Sequence, residues 1–145
     1  MVTLKPEDMQ IVRILLQNSQ TRLDMMAKKL DMHPSTIAYR IKKLRSIGII
    51  RKFTISVDWR KLGKNVESVV FINCSPKNVG KIANLLSNFD EVIEVHSLTG
   101  FYDIIAMVTL KDMEEYKEFI EKKLGSIAEI ESVRAGIVLE DFKEE

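Results

Sequence analysis

Cysteine is nearly missing from this chain. Cys74 stands alone, which excludes an internal disulfide framework and points to a reducing, cytoplasmic setting. Histidine is almost as scarce, with only His33 and His96, in different halves of the chain. Without any Cys-x-x-Cys or His-x-x-x-His spacing, the close ligand set of a metal centre is lacking, and neither a metal nor another cofactor is expected. Long apolar runs are lacking too. The stretch Ile104–Leu110 is closed by Lys111 and Asp112, far short of the ~20 residues that cross a bilayer. The opening MVTLKPED holds no apolar core of a signal peptide, so no membrane association is expected. Net charge, at +1, is also small.

That near-neutrality conceals a division. Up to Arg60 there are 12 Lys and Arg against 5 Asp and Glu, a net +7; from Lys61 onward 10 face 16, a net −6. A basic segment beside an acidic one predicts a polyanion as partner of the first, because neutralising phosphates supplies most non-specific nucleic-acid affinity. Scatter of surface charge is the alternative. At 145 residues and 46% hydrophobic content, the chain can give a core to one ordinary domain or to each of two small ones.

Pro6, Glu7 and Asp8 open the first pattern, with a proline at a first-turn position and acids where the helix dipole favours them. Ile11, Val12, Ile14, Leu15 and Leu16 then form a wide apolar stripe, predicting a helix that ends near Asn18. Thr21-Arg22-Leu23-Asp24 has the outline of a capping box. Leu23, Met26, Ala27 and Leu30 follow at the spacing of one buried helix face. Asp31-Met32-His33 interrupts that spacing, and Pro34 suits the first position of a third helix. Ile37, Ile41, Leu44 and Ile47 line one side of it, and Gly48 supplies the stop. At about 100° per residue, Ser35, Tyr39, Lys42, Lys43 and Ser46 gather on the opposite side, with Thr36 and Arg40 on the flank.

Two short helices joined by a tight turn, the second with a basic, hydroxyl-rich outer face, meet the needs of a reader of the major groove of double-stranded DNA. Ser35, Thr36, Tyr39 and Arg40 are the candidates for base edges. Lys42, Lys43, Arg45, Arg51 and Lys52 are the candidates for phosphates, setting position rather than sequence. The alternative is a three-helix bundle with an ordinary solvated basic face. Residues 51–58 change period: Phe53, Ile55 and Val57 alternate with Thr54, Ser56 and Asp58, predicting a half-buried connecting strand.

In the acidic half, Val66–Cys74 is a nearly continuous apolar strand, and Pro76 and Asn78 mark its end before a helix carrying Ile82, Leu85 and Leu86. Strands are predicted at 92–98, 104–110 and 130–139, with a helix at 112–124 between the last two. The order βαββαβ is that of a ferredoxin-like domain, with an antiparallel sheet and both helices on one face. Val69-Val70-Phe71-Ile72 and Ile104-Ile105-Ala106-Met107-Val108 do not alternate, so both faces want cover. With one face given to the helices, the other is expected to pair subunits in a homodimer. The fold class is therefore α+β. It comprises a three-helix DNA-binding domain over 1–50, a strand connector over 51–63, and a ferredoxin-like effector and oligomerisation domain over 64–145. Between the second and third strands, Gly100 and Asp103 sit in a short connection. They can form a hairpin with a glycine φ value and an Asp cap, or a site where the backbone approaches another group closely.

With these pieces in order, the chain resembles the Lrp/AsnC (feast/famine) regulators over essentially its whole length. The residues that carry the resemblance are RLDMMAKKL-DMH-PSTIAYRIKKLRSIGII, the stretch to Lys61-Leu62-Gly63, LTGFYDIIAMV and the ending GIVLEDFK. The resemblance implies transcription regulation through sequence-specific DNA binding. It also implies dimers assembling further, often to octamers, and an amino acid or similar small effector at a junction between dimers. By that resemblance Leu98, Thr99, Gly100, Tyr102, Asp103 and Ile104 would form the effector site. Asp103 would accept from the ammonium, loop N–H groups would hold the carboxylate, and Leu98 and Ile104 would shape a wall. Departures include His33, where Ser is usual and caps better, and Asp31, which replaces a turn glycine but tolerates the left-handed region. Val133 and Ala135 stand where many relatives carry threonine.

An enzyme is the rival reading, because ferredoxin-like domains host many chemistries. Separated histidines and a cysteine inside an apolar strand argue against it, and no catalytic residue is assigned. The run EEYKEFIEKK reads as a solvated helix face with i, i+4 pairs. A protein or RNA partner for the helical half is a further alternative, and no RNP-like aromatic signature favours RNA.

Overall fold

The proline-led starts and apolar spacings of the basic half become helices α1 (Pro6–Gln17), α2 (Leu23–Leu30) and α3 (Pro34–Ser46). The computed structural model describes residues 3–142; residues 1–2 and 143–145, the outer ends of the domains expected at 1–50 and 64–145, lie outside the described residues. Backbone contacts divide the chain into two compact units, one reaching to Ser56 and the other spanning Val57–Phe142.

In the first unit Ile11, Ile14, Met26, Ala27, Ile37 and Leu44 are buried together. Each fully buried aliphatic side chain contributes about 1.5–3 kcal/mol relative to exposure. Leu16 and Leu23, which the periodicity places on the inner faces, stay exposed, because each lies near a helix end where the neighbouring helix no longer covers the stripe. The capping box at Thr21 does not form. The Thr21 hydroxyl donates back to the Asn18 carbonyl at 2.7 Å, and α2 starts one residue later, from Arg22, with no side-chain cap. The box is instead at α1. There the Asp8 carboxylate accepts the Lys5 backbone N–H at 2.9 Å. Asp31 closes α2 in the left-handed region (φ 49°), the one non-glycine described residue with positive φ. A short polar side chain tolerates that conformation better than most.

The predicted connecting strand at 51–58 is corrected. These residues join no ladder among the described residues, and Phe53 and Ile55 are exposed. Alternation fixes which side chains share a face, but a strand also needs a hydrogen-bonding neighbour, which the sequence pattern does not supply.

The second unit runs β1 (Val66–Cys74), α4 (Val79–Leu86), β2 (Val92–Ser97), β3 (Ile104–Leu110), α5 (Met113–Glu118) and β4 (Ile130–Ile137). Wider π-type turns over Phe119–Leu124 prolong α5. The sheet order is β2-β3-β1-β4 and every pair is antiparallel, the expected ferredoxin-like arrangement. Along β1 burial alternates strictly. Val66, Val70, Ile72 and Cys74 pack with Ile82, Leu86, Phe119 and Leu124 from the helices. The opposite face carries Val69 and Phe71 beside Met107 and Ile105 in register, all partly exposed.

Candidate nucleic-acid interface

Helix α3 owes its place to Ile37 and Leu44, which lock one face into the three-helix core. Opposite that face Ser35, Tyr39, Lys42 and Lys43 are exposed, Thr36 and Arg45 are exposed on its flanks, and Arg51 and Lys52 extend the basic surface beyond the helix. Tyr39 keeps 66% of its area accessible, an unusual position for a phenol ring that has no core to fill. Arg45 lies over the Phe53 ring at 5.6 Å, a cation–π contact that orients the guanidinium while leaving it at the surface. Phe53, Leu23, Ile41 and Ile50 line a shallow groove beside it. The last turn of α3 is basic and its first turn carries no acid, so an approaching phosphate meets neither a carboxylate nor repulsion from the helix start.

Arg40 is the exception among the sequence-derived base readers. Its guanidinium Nη1 donates to Asp8 Oδ1 at 2.9 Å, and the two side chains are only 17% and 13% exposed. Among the described residues its buried Nε has no hydrogen-bond partner. The same carboxylate that caps α1 thus holds Arg40 against the helix bundle, which makes Arg40 a strut between α1 and α3 rather than a free groove contact. Burial pushes the Asp8 pKa up, but the Lys5 N–H and the Arg40 guanidinium outweigh it and hold the carboxyl below its usual value. His33, expected to cap less well than the usual serine, accepts the Ser35 backbone N–H through Nδ1 at 3.2 Å at the start of α3.

In the second unit, Gly100 adopts φ 118°, the left-handed region that favours glycine. The chain around it forms a loop whose frame Asp103 supplies. Asp103 Oδ2 accepts the Cys74 backbone N–H at 2.9 Å and faces Asn73 Nδ2 at 3.4 Å, while Asn73 donates to the Phe101 carbonyl at 2.7 Å. Leu98 N–H to the Asp103 carbonyl and Asp103 N–H to the Ile72 carbonyl complete it. One Asp103 carboxylate oxygen is thus tied to the end of β1, a different role from capping its own turn. Ile104, expected as part of a wall, is fully buried in the core that the helices cover. Leu98, Thr99, Gly100 and Tyr102 do lie together at the accessible end, where Tyr102 packs on Phe71 with ring centroids 4.8 Å apart. The N–H groups of Thr99, Gly100 and Phe101 have no acceptor among the described residues. Asn73 was missed from sequence because nothing local connects it to a loop almost thirty residues on.

Cys74 is buried, and burial first, then Asp103 and Glu131, push its thiol pKa up, which suits an inert side chain. His96 is exposed on β2 beside Glu94, at 3.2 Å. Among the described residues no group of three or more His, Cys, Asp or Glu is placed to hold a metal, and no helix is long and apolar enough to cross a membrane.

Comparison with known proteins matches this geometry unit by unit. Residues 8–51 match the winged helix-turn-helix DNA-binding model and residues 67–145 the Lrp/AsnC ligand binding domain. The HTH-type transcriptional regulator FL11 of Pyrococcus abyssi is 34% identical, covering 99% of this chain and 94% of its own. The transcriptional regulator AzlB of Bacillus subtilis is 35% identical, covering 98% and 92%. The solved structure of E. coli AsnC superposes with a TM-score of 0.89 at 28% identity, over 99% of this chain and 97% of that one. A basic helix-turn-helix and a ferredoxin-like ligand-binding domain, each matched in sequence and in fold, place the chain in the Lrp/AsnC family of DNA-binding transcriptional regulators.

Proposed function

We propose that this regulator reads a specific operator with α3 in the major groove. Ser35, Thr36 and Tyr39 face base edges, and Lys42, Lys43, Arg45, Arg51 and Lys52 face phosphates. The observation that carries the reading is the exposed polar row on α3, set directly opposite the buried Ile37 and Leu44. Arg40, tied to Asp8, acts by holding the helix. The DNA lies in the cytoplasm, and the protein binds it as a homodimer or a larger assembly such as an octamer. Dimer pairing uses the sheet face of Val69, Phe71, Ile105 and Met107, too apolar to be left to water and bordered by Glu94 and Arg134 at the rim. Two such heads would read half-sites about one helical turn apart.

The effector is an amino acid seated on the loop of Leu98, Thr99, Gly100 and Tyr102, with open loop N–H groups for its carboxylate. Support comes from the ligand-binding family match. A Neisseria meningitidis regulator crystallised with L-Met also shares the fold (TM-score 0.91, 21% identity, 98% and 94% coverage). The effector would shift the balance between assemblies by preferring one of them. DNA titrations over a range of salt test the groove reading. Lys43→Ala and Arg45→Ala should each weaken binding to all duplexes and lower the salt slope by about one unit, whereas Tyr39→Ala should cost roughly 1–3 kcal/mol at one base position. Unchanged binding in all three would remove α3 from the groove.

A further inference from the structure

His33 does more than close the start of α3. Its Nδ1 accepts the Ser35 backbone N–H at 3.2 Å and lies 2.6 Å from the Ser35 hydroxyl oxygen. Both residues are exposed, and both sit at the end of α3 that a groove-reading helix points at bases. A backbone N–H can only donate. That contact assigns Nδ1 as the acceptor and the ring proton to Nε2. The proton in the short contact between Nδ1 and the Ser35 oxygen must then come from the hydroxyl. With its single hydrogen spent on the imidazole, Ser35 turns only lone pairs outward.

A free serine hydroxyl donates or accepts and so distinguishes bases poorly. We propose that His33 is a specificity-determining residue of this regulator, which makes Ser35 an acceptor-only reader of the amino groups of adenine or cytosine. In the major groove those are the donors, adenine N6 and cytosine N4, while guanine N7 and O6 and thymine O4 are acceptors that would face the Ser35 lone pairs. The polarity rests on the groove reading above and adds to it a base class at one position. His33 itself needs no contact with DNA for this effect; it acts through Ser35.

The test uses the full-length protein and its Ser35→Ala, His33→Ala and His33→Asn variants, with circular dichroism to check that each keeps its helix content. Duplexes selected from a randomised pool by the wild type are titrated with every base substituted in turn. The proposal expects one position where adenine or cytosine, replaced by guanine or thymine, weakens the wild type about five-fold or more, the worth of one hydrogen bond. His33→Asn retains an acceptor oxygen and should keep that preference. His33→Ala frees the hydroxyl, Ser35→Ala deletes it, and both should flatten the preference to about two-fold or less. A preference that survives His33→Ala, or a Ser35-dependent position selecting guanine or thymine, overturns the polarity argument while leaving α3 in the groove. No position sensitive to Ser35→Ala overturns it as well, with Lys43→Ala still lowering affinity for every duplex. If Lys43→Ala too is silent, the groove reading falls, and the proposal with it.

Discussion

Removing the Asp8 carboxylate should loosen the recognition helix from a distance. Asp8 accepts the Lys5 N–H through one oxygen and the Arg40 guanidinium through the other, both at 2.9 Å. Asp8 is the N3 member of the capping box at α1, and losing its bond to the Lys5 N–H costs about 1 kcal/mol. Truncating one partner of a fully buried ion pair costs about 3–5 kcal/mol, and an exposed pair contributes about 0–1. Side chains 13% and 17% exposed fall between those cases, near ~2 kcal/mol once solvent screening is allowed for. Asp8→Ala should therefore destabilise the helical unit by ~3 kcal/mol, and Asp8→Asn, which retains an acceptor for Lys5, by ~2. For a unit of this size that is a large fraction of its stability. A double-mutant cycle of Asp8→Asn with Arg40→Met, read by urea unfolding, should return a coupling of about 1–3 kcal/mol. The acid limb gives a second reading. Because Asp8 sits below its ordinary pKa of 3.8, its contribution is whole above that pH and drains away as pH falls through the lowered value. Wild type and Asp8→Asn should accordingly converge in stability only below pH 3.8. A coupling under about 0.5 kcal/mol, or a stability difference independent of acid, would refute the strut.

Asp103→Ala should cost about 1–3 kcal/mol in thermal unfolding, since it leaves the buried Cys74 N–H without an acceptor. Asp103→Asn keeps that acceptor, so calorimetry with any bound amino acid then shows whether the charge matters to the effector; equal instability in both variants would contradict the framing role. Residues 61–145 alone should sediment as a dimer, because the apolar sheet face belongs to that unit; a folded monomer at micromolar concentration would count against sheet pairing. Gly125→Ala should destabilise by about 1–3 kcal/mol in chemical unfolding, because a methyl there would clash with the Glu121 carbonyl; a neutral result would mean that the turn relaxes freely.

Much of the helical unit was legible because helix formation reports itself locally. The stripe at Ile37 and Leu44, Pro34 at the start and Gly48 at the end set where α3 lies and which face is left exposed. The acidic unit was legible for a related reason: runs such as Val66–Cys74 bounded by turn residues give the order of strands and helices. The sites were less so. The helical projection puts Arg40 on the flank and Lys43 on the outer side, but nothing in it shows that Arg40 would be tied to Asp8. His33 departs from the expected serine, but its ring reaches the same N–H from a different side-chain length.

The sequence by itself determined the division into a basic and an acidic half, the elements in each, and the surface of α3 that faces outward. Those follow from charge and from periodicities of a few residues. Tertiary structure alone decided that Asp8 would meet Arg40, that Asp103 would cap the end of β1 and that Ile104 would turn into the core. It also decided that residues 51–58 would find no ladder partner among the described residues. Each of these depends on groups brought together from distant positions, or on a hydrogen-bonding neighbour being present. The chain encodes such partners only through the whole packing arrangement, because no local period links one residue to another some thirty positions away.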